Sequence, residues 1–147
     1  MVIPIVIGIM PNHLHVLIAL KNATQTVNTV VSNGKRFMAY EIVATLKKQG
    51  QKEILEKLSS AVNASDSRRG KLHQVFEPSF DCKECYSESF TEQKLNYMHH
   101  NPCNGIWNLA TNPIEYRHSS AKFYLTGASE VYEVTNYKEL MDIDLSK

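Results

Sequence analysis

Two runs of apolar residues open the chain, Val2–Ile9 and His13–Leu20, with Met10-Pro11-Asn12 between them. Pro and Asn favour a tight reversal, so the two runs are expected to pair as an antiparallel hairpin over residues 1–20. The period then changes. Val27, Val30, Val31, Phe37, Met38, Ile42 and Leu46 recur at helical spacing, which predicts a helix from Thr26 to about Gln49, weakened at Gly34 and stopped by Gly50. A second helix is expected over Lys52–Val62, so that residues 24–63 are mainly helical. Residues 64–71 are polar and read as a loop, and Leu72–Phe80 reads as broken extended chain. A further helix is expected over residues 91–101, ended by Pro102, which disfavours helical geometry at Asn101. Residues 102–147 read as a loop-rich segment, with a short helix starting at Asn136.

This pattern predicts an α+β fold, and 147 residues suit a single domain. No apolar run is long enough to span a bilayer, so no membrane association is expected. Three cysteines argue against a disulfide framework and for a reducing, cytoplasmic setting. Cys82 and Cys85 form a C-x-x-C pair that Cys103 and His73 could complete as a zinc site. Without a second pair at finger-like spacing, free thiols are the expected reading. A net charge of +1 leaves any nucleic-acid surface to local patches, of which Lys35-Arg36 and Arg68-Arg69 are candidates. Each patch taken alone is better explained as a solvated face or charged loop.

Two short segments carry chemistry. In Asn12-His13-Leu14-His15-Val16, the histidines are two apart in a strand pattern and therefore share a face. Two neighbouring imidazoles can reach one cation while leaving positions open for substrate oxygens. The plainer reading is a pair of surface histidines satisfied by water or backbone. In Asn96-Tyr97-Met98-His99-His100-Asn101-Pro102, Tyr97 and Asn101 are four apart on one helical face. A phenol beside an amide suits nucleophilic attack next to a metal, and equally suits an amphipathic helix whose hydroxyl meets water.

Together these segments resemble a known family. MPNHLHVLI is similar to the MPNHVHLLI-type signature of the HUH single-tyrosine transposases, and YMHHNPCNGIW resembles their Y-I-H-x-N-P-x-x-x-G block. Pro113-Ile114-Glu115-Tyr116-Arg117-His118-Ser119-Ser120-Ala121 looks like their downstream P-x-D-Y-x-x-S-S segment. The nearest group is the REP-associated tyrosine transposases, relatives of the insertion-sequence-200-like enzymes. The resemblance runs from Met10 to about Gly127 with a divergent middle.

What the resemblance implies is specific. His13, His15 and Asn101 would be metal ligands for Mg²⁺ or Mn²⁺, and Tyr97 the nucleophile that cleaves and rejoins single-stranded or hairpin DNA. The fold would be a ferredoxin-like α/β sandwich with a central antiparallel sheet. Lys35 and Arg36 would lie within reach of a DNA backbone, contributing phosphate contacts. The family has a strand and a helix ahead of the His-bearing hairpin, so this chain is expected to be N-terminally truncated. An edge left unpaired in that way favours a homodimer. Trp107 is expected in the core or at a hinge. Two other functions fit the same motifs: a fragment that only binds DNA hairpins, and a replication-initiator or relaxase-like nuclease.

Overall fold

In the computed structural model, residues 1–21, 24–129, 131–141 and 143 are described. The fold is mixed α+β, and the chain divides into two compact units. The first comprises Met1–Thr24 and Glu84–Lys147, and the second Gln25–Lys83.

The first unit is built on the expected hairpin. Strand β1 (Val2–Ile9) pairs antiparallel with β2 (Leu14–Leu20), with Gly8 opposite His15 and Ile9 opposite Leu14. Met10 N–H donates to His13 O at 2.8 Å and closes the turn around Pro11-Asn12. A register shift between Pro4 and Val6 sets Val6 opposite Leu17. These two strands are the sheet formed by the described residues.

Helix α4 (Glu88–His100) packs on β1. It starts at Glu88, three residues ahead of the start expected from periodicity, and is capped by Ser87, whose Oγ accepts Phe90 N–H. Its buried face is Leu95, Met98 and His99. Leu95 and Met98 join Ile5, Val6 and Tyr137 in a small core flanked by Leu17, Ala19, Tyr124 and Leu140. Gly8 faces the helix closely: a β-carbon there would be in van der Waals contact with Met98 O at 3.5 Å.

The outer edge of β1 is covered by side chains from the C-terminal segment. Tyr116 donates its hydroxyl to Ile9 O at 2.6 Å, and Tyr124 donates to Ile5 O at 2.9 Å. Between them, Ser120 N–H donates to Ile7 O at 2.8 Å while its Oγ accepts Ile7 N–H at 3.0 Å. Ile9 N–H donates to His118 O, and Gly8 bridges to Ser119. The outward carbonyls of Ile5, Ile7 and Ile9, with the N–H groups of Ile7 and Ile9, are thus satisfied without a further strand. The residues that do this flank and begin α5 (Ala121–Thr126), a six-residue helix too short to register as a period. Gly127 ends it at φ 75°. The short helix expected from Asn136 is a 3-10 turn at Tyr137–Leu140, capped by the Asn136 side chain.

The second unit contains α1 (Val27–Lys48), α2 (Lys52–Ser60) and α3 (Ala64–Arg68). Helix α1 runs unbroken through Gly34, and its N-cap Thr26 accepts Thr29 N–H. It contacts α2, but none of its residues is fully buried, and Phe37 of its apolar stripe and the neighbouring Tyr40 remain largely exposed. One turn of the expected 64–71 loop is helical, because the Asn63 side chain accepts Asp66 N–H and starts α3. Residues 72–80 form no strand. No helix among the described residues is long and apolar enough to cross a membrane.

Candidate metal and tyrosine site

Four residues from opposite ends of the sequence meet in the first unit. His13 precedes β2 and His15 lies within it, and the hairpin turns both rings to the same face. Their Nε2 atoms stand 3.1 Å apart with the rings edge to face. Two ligands at right angles about one ion, each roughly 2.1 Å from it, stand about 3.0 Å apart. The two imidazoles therefore already have the spacing that a shared cation requires. Asn12, the turn residue, engages His13 Nδ1 through its Oδ1 at 2.5 Å and orients the ring.

Asn101 closes the triangle. Its backbone N–H donates to Tyr97 O as the C-cap of α4, so the amide is set one turn beyond the tyrosine. Pro102, almost fully buried, then diverts the chain into a 3-10 turn, Asn101–Cys103. The Asn101 Nδ2 lies 3.0 Å from His15 Nε2 and 3.3 Å from His13 Nε2. A half-turn of the amide places Oδ1, the ligating atom, at the same point. Among the described residues no group of three or more His, Cys, Asp or Glu side chains gathers. The triangle is a three-donor set only through the Asn101 amide. Two imidazole nitrogens with one amide oxygen fit a divalent ion that keeps open positions.

Tyr97 extends from the same face of α4, with its ring edge-on to His15 at a centroid separation of 5.6 Å. It is 57% exposed, so its phenol is open to a large substrate. Burial, and after it the charge of His13, hold His15 below the ordinary imidazole value. The neutral ring, whose lone pair can ligate, is thereby favoured.

Behind this surface lies a buried polar latch. His99 is 2% exposed, and its Nε2 lies 3.1 Å from Ser120 Oγ. Burial, and then the charge of His100, lower His99 to about 4, so it is neutral at physiological pH. Through Ser120 and its bonds to Ile7, the latch ties α4 to β1 between the Tyr97 and Asn101 positions.

The remaining basic candidates belong to the second unit. Lys35 donates to Glu77 O and Ser79 O, both at 2.8 Å, and sits over the Phe80 ring. Arg36 lies over Phe37. Arg68 and Arg69 end α3 and are exposed. None of the three cysteines is in a disulfide. Two residues carry more of the site than the sequence indicated. Asn12 is a turn former by sequence, yet it also orients His13. Trp107, expected in the core or at a hinge, lies beside the His13 ring at 6.1 Å.

Compared with protein-family models, curated proteins and solved structures, the chain matches none.

Proposed function

We infer that the chain is a metal-dependent tyrosine transposase of the HUH single-tyrosine type, cleaving and rejoining single-stranded or hairpin DNA. One observation carries this reading: His13, His15, Tyr97 and Asn101 converge from segments more than eighty residues apart. The plainer reading of each motif, scattered surface histidines and an isolated amphipathic tyrosine, predicts no such convergence. The resemblance further assigns the first unit to a ferredoxin-like α/β sandwich. In support, the His-bearing hairpin carries α4 against its histidine face.

His13, His15 and Asn101 would hold Mg²⁺ or Mn²⁺, which when bound supplies polarisation of the phosphate oxygens. Tyr97 provides the nucleophile. Its phenolic oxygen forms a bond to phosphorus while the bond from phosphorus to the 3′ oxygen breaks. The phenol loses its proton and the departing 3′ oxygen gains one. The product is a 5′-phosphotyrosine and a free 3′ hydroxyl. One phosphodiester is exchanged for another, so rejoining by the reverse step needs no nucleotide cofactor.

The test uses purified protein, Mg²⁺ or Mn²⁺, and a panel of hairpin oligonucleotides with single-stranded tails. A covalent adduct that survives denaturing electrophoresis is expected with the wild type. It should be lost in Tyr97→Phe. An adduct of equal yield in that variant removes Tyr97 as nucleophile, and adduct formation unaffected by chelator removes the metal.

A further inference from the structure

The loop after the tyrosine helix is built to display apolar surface beside a polar site. Leu109 N–H donates to Pro102 O at 2.8 Å and closes residues 102–109 into a compact excursion anchored on buried Pro102. Asn104 N–H donates to Asn101 O, which holds the entry of the loop against the end of α4. Two residues bend the excursion through the left-handed region, Gly105 at φ 65° and Asn108 at φ 39°. Asn108 is the one non-glycine described residue with positive φ, a conformation that costs free energy and persists where surroundings impose it.

The result of this bending is unusual for a folding device. Ile106 is 91% exposed, and Trp107 is only half-buried, with its ring tilted 59° to that of His13. Neither residue belongs to the core of the unit. Burial in this fold therefore does not explain two large apolar side chains at this point. Their neighbour is a cluster of imidazole and amide nitrogens that suits a cation and phosphate oxygens. A bare phosphate makes no use of an indole face. A nucleotide has both parts, an anionic phosphate and a flat base.

The geometry points to Trp107 as a stacking platform for one unpaired nucleobase next to the phosphate that Tyr97 attacks, with Ile106 as an apolar flank. This rests on the DNA-cleaving reading of the site and adds to it a residue that positions the strand. A π-face accepts any base, so the platform fixes the spacing of base and phosphate rather than the sequence read. The loop leaves from the C-cap of α4, so the base position is tied to Asn101 and through it to Tyr97.

The chain has a single tryptophan, which makes the proposal readable by intrinsic fluorescence. Tyr97→Phe protein with Mg²⁺ is titrated with a tailed hairpin oligonucleotide, following tryptophan emission. A dye-labelled copy of the oligonucleotide reports affinity by anisotropy, and an abasic site is then walked along the tail. Binding should quench Trp107. One abasic position should abolish the quenching and weaken binding roughly tenfold. Trp107→Ala should bind the intact oligonucleotide about tenfold more weakly and be indifferent to that abasic position, whereas Trp107→Phe should keep most of the affinity. Binding without quenching, or the same abasic penalty in Trp107→Ala, overturns the platform and leaves the DNA reading standing. Failure of every oligonucleotide to bind overturns both.

Discussion

Asn101 has two separate tasks, and a single substitution can distinguish them. Its backbone completes the last turn of α4 on Tyr97 O, which any residue other than proline can do. Its side chain meets both imidazoles, which requires a short polar group. Asn101→Asp keeps an oxygen at that point and should retain Mn²⁺ binding measured by calorimetry. Asn101→Ala should lose at least tenfold in affinity, about 1.4 kcal/mol, with no change in helix content by circular dichroism. Equal affinities in the two variants would remove Asn101 from the ligand set. At this scale the sequence was most legible. His13 and His15 share a face because strand period is two, and Tyr97 and Asn101 share one because helix period is close to four. Neither period says what a loop does, so Trp107 was left to be placed by backbone angles at Gly105 and Asn108 that no pattern encodes.

Among the elements, α4 is the one whose position decides the site, and its attachment is polar as well as apolar. Ser120 stands between His99 on the helix and Ile7 on the strand. Ser120→Ala leaves the buried His99 Nε2 and the Ile7 N–H without this partner, a cost of about 1–3 kcal/mol. Urea denaturation should show that loss as a lower midpoint with an unchanged slope. An unchanged midpoint would mean that water replaces the hydroxyl. The hairpin, the long helix α1 and the nine-residue α2 were legible because their periods repeat over enough residues to show. Helix α5 and the single turn of α3 were not, since five or six residues hold too few repeats to reveal a period. The start of α4 was missed for a different reason: it is set by a serine cap ahead of the first periodic position.

Across the whole molecule, the first unit joins the first 24 residues to the last 64, with the helices of residues 25–83 lying between them in sequence. Its closure depends on tyrosines that fold with their protons on. Burial raises Tyr124 to about 12, and burial followed by the Glu92 hydrogen bond raises Tyr137 to about 12. The folded chain therefore keeps protons that the unfolded chain releases near pH 10. The stability these hydroxyls contribute is complete below pH 10 and is lost as pH rises toward 12. Thermal melts across that window should show a falling midpoint, and Tyr124→Phe should flatten part of the fall. A slope identical to wild type would place the titration elsewhere. None of this long-range closure could be read from local patterning, because Tyr116, Ser120 and Tyr124 gain their meaning only from the strand they meet.

Those three side chains also give the sheet a direction of growth. With the carbonyls of Ile5, Ile7 and Ile9 already occupied, a strand approaching from that side would have to displace hydroxyl and serine groups before it could bond. Among the described residues of this unit, no backbone group pairs with the far edge of β2. Any added strand, from whatever chain, therefore has its lower-cost berth beside the strand that carries His15. Recruitment of such a strand and occupancy of the histidine site would then be physically linked, because His15 lies on the strand that both engage.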